Sequence, residues 1–265
     1  MDFVGIITGG GTISLWGFAL IAVLVFLAGF VDAIAGGGGF ISLPAYLFAG
    51  VPVHAAIATN KLSSTMGTTI ATAKYIRRGY MVWWLAPSSV VLALAGSSLG
   101  ASLSLAADET IIRIVMLLVI PIAVYYVLRT KRMDIERPAY SKLKTLAICG
   151  AIAFLIGMYD GFYGPGTGTF LMLLLPAVAH LTLDHAAGIT KAINLSTNVA
   201  ALAVFLANGA VLIGLGLVAG LFNIAGNWLG ANKFTHDGAR IVRPIILLVL
   251  ALFAIRLILE LLGIM

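Results

Sequence analysis

The chain has 265 residues, of which 61% are hydrophobic and only 10% charged, and its formal net charge is +6. A soluble domain carries about 25% charged residues, so this composition excludes a soluble core and predicts an integral membrane protein. Most of the 16 cations cluster at the ends of apolar runs. Membrane proteins place Lys and Arg there, so the basic character indicates lipid contact and no nucleic-acid partner.

The first half of the chain begins with an apolar run at 13–34, which leads into "GFVDAIAGGGGF" (29–40). A membrane-spanning helix needs about 20 apolar residues. The run at 40–50 is too short for that, because it would form a helix of about 15 Å. We therefore expect a half-helix or a re-entrant element there. Three longer runs follow, at 54–78, 82–106 and 109–129.

The second half of the chain repeats this plan. "GMYDGFYGPGTGTF" (157–170) resembles the first glycine motif at a spacing of 128 residues, and later matches such as "GSSLGA" with "GNWLGA" are spaced by 130. The corresponding apolar runs are 144–161, 168–180, 183–208, 211–232 and 237–262. The sequence predicts a single all-α polytopic membrane domain over 1–265, with a first repeat at 1–132 and a second at 133–265.

Charge predicts the relative orientation of the two repeats. The linker at 129–144 is strongly basic, so we expect it in the cytoplasm. Lys74, Arg77 and Arg78 end one long run, whereas the equivalent stretch 204–208 has no charge. This opposite pattern is typical of inverted repeats and requires an odd number of crossings per half. Three spans plus a broken hairpin or five crossings both satisfy it, which makes about eight to ten membrane segments.

Two lysines are the first candidate site residues. Lys61 lies about 10 Å into its predicted helix at 1.5 Å per residue, and Lys191 takes the same position in the second repeat. A lysine at this depth is either a snorkelling or paired structural residue, or a binding group for an anion. Its recurrence in both repeats favours substrate binding.

Small polar residues surround both lysines and are further substrate-binding candidates: Asn60, Ser64, Thr190, Asn194 and Asn198. Residues within one helical turn reach a common cavity. Hydrogen bonding between helices in lipid is the alternative role for such side chains.

The glycine runs form the third set of candidates. Irregular backbone survives inside a membrane only where it is buried or lines a cavity, and the helices that follow present free N–H groups and a partial positive charge. We therefore expect two anion-holding turns; close helix packing is the alternative. The glycines concerned are Gly36, Gly37, Gly38, Gly39, Gly164, Gly166 and Gly168.

Asp32 and Asp160 precede the two glycine runs. Each acid either pairs with a lysine in a structural role or takes up a proton during transport, since acids in membrane interiors often serve in proton relays. The rival class is an intramembrane enzyme, which needs a nucleophile–base or metal set. The four histidines lack metal-ligand spacing and Cys149 is the single cysteine. We therefore expect no catalytic residue, metal or cofactor.

The segments "GFVDAIAGGGGFISLPAYLFAG", "AIATNKLSSTMG" and "GFYGPGTGTF" resemble the TauE/SafE family of bacterial sulfite exporters over nearly the whole chain. The resemblance implies a multi-pass transporter in the bacterial inner (cell) membrane. Its partners would be the lipid bilayer and a small sulfur-containing anion, such as sulfite, sulfoacetate or a related organosulfonate. A channel or carrier for another small organic anion is the alternative. Pro165 and Thr167 interrupt the second glycine motif, so we do not expect the two halves to contribute equally.

Overall fold

The structure is a computed structural model that describes residues 13–129, 138–232 and 238–261. Within these ranges the regular structure is entirely helical. The first half contains α1 (Leu15–Ala35), α2 (Gly39–Phe48), α3 (Val53–Arg77), α4 (Ala86–Ala106) and α5 (Glu109–Arg129). The second half contains α6 (Lys142–Phe162), α7 (Thr167–Ala179), α8 (Leu183–Ala207), α9 (Ile213–Asn232) and α10 (Gly238–Leu261).

The all-helical polytopic fold predicted from composition is confirmed. Five described helices, α1, α4, α6, α8 and α9, are long and apolar enough to cross a membrane. The short helices α2 and α7, with 10 and 13 residues, stand in the same place in each half. The most basic stretch of the linker (130–137) and the loop at 233–237 lie outside the described residues, so the charge pattern that they contribute stays a prediction.

Each short helix folds back along the long helix before it. A Cβ on Gly17, near the start of α1, would lie 3.2 Å from Cβ of Ala49, just past the end of α2. In the second half, His180 at the end of α7 stacks on Tyr140, and its Nδ1 lies 2.8 Å from the carbonyl oxygen of Pro138, before α6. Both pairs therefore form hairpins, and the number of crossings per half stays a prediction.

Contacts between α3 and α8, the equivalent long helices of the two halves, show their relative direction. Lys61 of α3 donates to Asn198 Oδ1 of α8 at 3.2 Å. Thr72, three turns further along α3, donates to the carbonyl of Lys191, which precedes Asn198. The two helices therefore run antiparallel, as an inverted repeat requires. The orientation of the halves across the bilayer stays a prediction.

Glycines let the outer helices approach closely. A Cβ on Gly96 of α4 would overlap the carbonyl oxygen of Phe154 in α6, and a Cβ on Gly226 of α9 would overlap that of Phe26 in α1. Small residues at four-residue spacing are typical of such crossings in lipid, where the hydrophobic effect does not drive helices together and close van der Waals packing has to. The repeated "GSSLGA" and "GNWLGA" motifs therefore explain the same helix crossing in both halves.

Candidate functional site

The tips of the two hairpins cross each other inside the protein. A Cβ on Gly168 would lie 2.9 Å from the Cα of Gly36, and a Cβ on Gly39 would lie 2.8 Å from the Cα of Pro165. No side chain larger than hydrogen fits between the two backbones there. Close packing, the alternative role for these glycines, is therefore present, and the first turns of α2 and α7 are brought side by side.

Positive φ angles allow the chain to break at these tips. Gly36 and Gly37 have φ of 70° and 88°, and Gly164 and Gly166 have φ of 98° and 89°. Glycine adopts this region without the steric cost that a Cβ imposes. Gly38 differs, because its φ is −54°, so its lack of a side chain matters through space: a Cβ there would overlap the carbonyl oxygen of Ala28.

Free backbone donors face each other at the crossing. Among the described residues, the N–H groups of Gly38 and Gly39 at the start of α2 have no hydrogen-bond acceptor, and the same holds for Gly166 and Gly168 at α7. Helix N-termini carry a partial positive charge, so two of them together favour an anionic ligand or carboxylate. These N–H groups are the donors that the predicted anion-holding role of the glycine turns requires.

Lys61 and Asp160 form an enclosed ion pair between the two halves. The ammonium Nζ lies 2.6 Å from Asp160 Oδ2, and the two side chains are 2% and 3% exposed. Thr167 Oγ1 donates to the other carboxylate oxygen at 2.6 Å. Asp160 is thus held by a charge and a hydroxyl, while Lys61 also donates to Asn198.

Lys191 and Asp32 form the equivalent pair, with a looser arrangement. Lys191 Nζ lies 2.9 Å from Asp32 Oδ2 and donates to the Asp32 backbone carbonyl at 2.6 Å. The Asp32 side chain is 15% exposed. Among the described residues its carboxylate has Lys191 as its only ion-pair partner. The pairing role considered for both acids is therefore present, and the two pairs differ in access to solvent.

A small cavity of about 30 Å³ lies between these groups, which is enough for about two water molecules. Most sequence candidates line it: Asp32, Gly37, Gly38, Gly39, Asn60, Lys61, Ser64, Asp160, Gly164, Gly166, Gly168, Asn194 and Asn198. Asn60 Oδ1 is buried there without a hydrogen-bond partner among the described residues. Gly36, Thr190 and Lys191 lie outside the lining, so their substrate-binding role stays a prediction without support from this cavity.

The structure adds five lining residues that the sequence reasoning missed: Ala28, Ser42, Thr68, Thr167 and Asn223. Thr167 and Asn223 carry the clearest chemistry. Thr167 interrupts the second glycine motif, and this difference from the first motif is the sequence feature that could have identified it. Asn223 is a polar residue inside the long charge-free run of α9, where an amide in lipid needs a partner. Inspection of the apolar runs for buried amides would have found it.

Comparison with known proteins agrees with this architecture. The family model of the sulfite exporter TauE/SafE matches residues 21–257. The chain belongs to this family. This match confirms the resemblance that the glycine and lysine motifs indicated. It also confirms the prediction of a multi-pass transporter in the bacterial inner membrane.

Curated relatives of this TauE/SafE protein have transporter names. A probable membrane transporter protein, ORF9, of Sinorhizobium is 37% identical over 240 residues, covering 90% of this chain and 91% of the relative. Probable membrane transporters of Haemophilus influenzae and of Escherichia coli K12, the latter named YfcA, are 32% and 33% identical, each covering 88% or more of both chains. These names indicate a transporter and not an enzyme. No solved structure matches the chain.

Proposed function

We propose that this TauE/SafE protein carries a small sulfur-containing anion, such as sulfite, sulfoacetate or a related organosulfonate, together with a proton. The observation that carries the proposal is the enclosed Lys61–Asp160 pair at the crossing of two helix N-termini. An ammonium group and uncapped N–H donors together favour an oxyanion over a cation or a neutral solute.

Lys61 has hydrogen-bonding capacity left for the anion. An ammonium group has three donors, and Asp160 and Asn198 accept from two of them among the described residues. The anion would take the third donor together with N–H groups of the glycine turns. Since the cavity has room for about two water molecules, we expect the hairpin tips to separate when an organosulfonate binds.

The charge balance of the site supports co-transport of a proton with the anion. The two lysines and two aspartates of the site sum to zero, so an added anion would leave an unpaired negative charge in a poorly solvated cavity. Burial of such a charge is costly unless it is compensated. A proton on Asp32 restores neutrality. Asp32 suits this role better than Asp160, because it is the more exposed carboxylate and lacks the second bond that Thr167 gives Asp160.

The test is flux into proteoliposomes that contain the purified chain. Sulfite, sulfoacetate, taurine and acetate are compared with and without a pH gradient. We expect sulfite or sulfoacetate to accumulate above its equilibrium level when the gradient is imposed, and zwitterionic taurine to be carried poorly. Asp32→Asn should remove the effect of the gradient but leave substrate exchange. Gradient-independent flux in the wild type would contradict proton coupling, and no flux of either sulfur anion would contradict the substrate class.

The second candidate, a carrier of another small organic anion, is favoured by the same ammonium and N–H donors. Saturable acetate uptake that exceeds sulfite and sulfoacetate uptake would support it.

A further inference from the structure

A second cavity of about 170 Å³ lies at the outer end of α2, beside α3, α5 and α10. It shares no lining residue with the cavity at the hairpin tips. Its position along α3 differs as well, since Val53 precedes Lys61 by eight residues, or about 12 Å of helix. The cavity is lined by Leu47, Gly50, Val51, Pro52, Val53, Arg113, Met116, Phe253, Arg256 and Leu257.

Two arginines, Arg113 and Arg256, line this cavity. Arg113 Nη2 pairs with Glu109 Oε2 at 3.0 Å, but the Arg113 Nε is buried without a hydrogen-bond partner among the described residues. A buried donor without a hydrogen-bond partner destabilises the protein. An acceptor bound in the adjacent cavity would pair with the Arg113 Nε. The Arg256 guanidinium lies 5.2 Å from the ring centre of Phe48, which orients it by a cation–π contact.

The N-terminus of α3 places a partial positive charge at this cavity. Pro52 precedes α3 and gives no side-chain cap, and the first turn of α3 contains no acidic residue. The equivalent helix α8 supplies its own acceptors, Thr182 as cap and Asp184 in the first turn. The uncapped end of α3 therefore points its partial positive charge toward the same cavity as the two arginines.

The rest of the cavity is apolar. Leu47, Met116, Phe253 and Leu257 form its wall, which suits a short hydrocarbon group and not a hydrated inorganic ion. Arginine matches tetrahedral oxyanions through its planar set of donors. We propose that this cavity is a second binding site, which takes a phosphate or sulfonate group attached to an apolar chain.

Two sources have this chemistry: a soluble alkylsulfonate and the headgroup of an anionic phospholipid. Basic pockets between membrane helices are known to hold lipid headgroups. Arg113 is the fifth residue of α5 and Arg256 lies five residues before the last described residue of α10, so both stand near helix ends, where headgroups are within reach. The site itself does not depend on the transport function proposed above.

The experiment uses the full-length chain purified in a neutral maltoside detergent. Hexane-1-sulfonate binding is measured by calorimetry, and bound phosphatidylglycerol is counted by native mass spectrometry. The variants are Arg113→Gln, Arg256→Gln and Met116→Phe, the last of which fills the cavity without removing charge. Lys144→Gln is the control, because that lysine lies over Tyr140 at a distant helix start. Lys61→Gln reports on the hairpin-tip cavity.

We expect each arginine variant to weaken binding of at least one probe about tenfold or more, because a charge-assisted contact is lost. Met116→Phe should weaken it similarly, whereas Lys144→Gln should bind as the wild type does. Loss of sulfonate binding assigns the site to soluble anions, and loss of bound phosphatidylglycerol assigns it to lipid. Wild-type binding of both probes in all three cavity variants would overturn the proposal, as would loss of binding only in Lys61→Gln.

Discussion

Replacing Asp160 with Asn removes the negative charge from the more enclosed of the two ion pairs. Lys61 would keep its positive charge at 2% exposure, with Asn198 Oδ1 at 3.2 Å as its remaining strong acceptor besides the new amide. Loss of one partner of a buried pair costs about 3–5 kcal/mol, since the other charge stays buried. We therefore expect the free energy of unfolding to fall by that amount.

The equivalent change, Asp32→Asn, provides the matched comparison. Lys191 keeps its bond to the Asp32 backbone carbonyl at 2.6 Å, and the side chain of residue 32 is 15% exposed. The Lys191 side chain is only 4% exposed, so its charge also stays buried, but the bond to the carbonyl remains, and the loss should lie near the lower end of the same range, at about 3 kcal/mol. The second-half carboxylate should therefore matter more to stability than the first-half one.

Equilibrium unfolding in mixed micelles measures both losses. Lys61→Met and the Lys61→Met/Asp160→Asn double variant complete a double-mutant cycle. The double variant should be more stable than Asp160→Asn alone, because no buried charge remains unpaired. Equal losses for the Asp160 and Asp32 variants, or strictly additive losses in the cycle, would refute the reasoning from burial.

Three further outcomes follow from the geometry. Lys61→Gln should reduce sulfite or sulfoacetate affinity by orders of magnitude while the protein stays in the membrane, and normal affinity would contradict the binding role. Gly38→Ala should lower the yield of folded protein, because its Cβ would overlap the Ala28 carbonyl, whereas Gly79→Ala, which has open space but a φ of 76°, should fold with a loss of only about 1–2 kcal/mol from backbone strain. Cysteines at Arg78 and Gly209 should react with impermeant reagents from opposite sides of the membrane, and labelling from one side would contradict the inverted repeat.

The helices and the identity of the central groups could be predicted from the sequence because membrane physics leaves few options. Gly36 and Gly37 inside an apolar run predict a broken helix, because glycine interrupts the helix and leaves backbone N–H groups without helical acceptors. Lys61 and Lys191 stand out for the same reason, because a charge at that depth is costly unless it has a partner. These features depend on local composition and on depth in the bilayer.

The pairing of these groups could not be predicted, because it depends on how the halves pack. The recurrence of Asp and Lys in each repeat is equally compatible with pairs inside one half. In the structure Lys61 reaches Asp160 and Lys191 reaches Asp32, both across the repeats. The second bond of Asp160 likewise depends on Thr167, which has no hydroxyl counterpart at Gly39.

The exchange of ion-pair partners between the halves has a consequence for biogenesis. Lys61 is synthesised 99 residues before Asp160, and Asp32 159 residues before Lys191. At about 5–20 residues per second, Lys61 waits roughly 5–20 s for its carboxylate. During that interval the first half has to keep an ammonium group and a carboxylate away from hydrocarbon. We therefore expect Lys61 to be fully buried only after the second hairpin has been made.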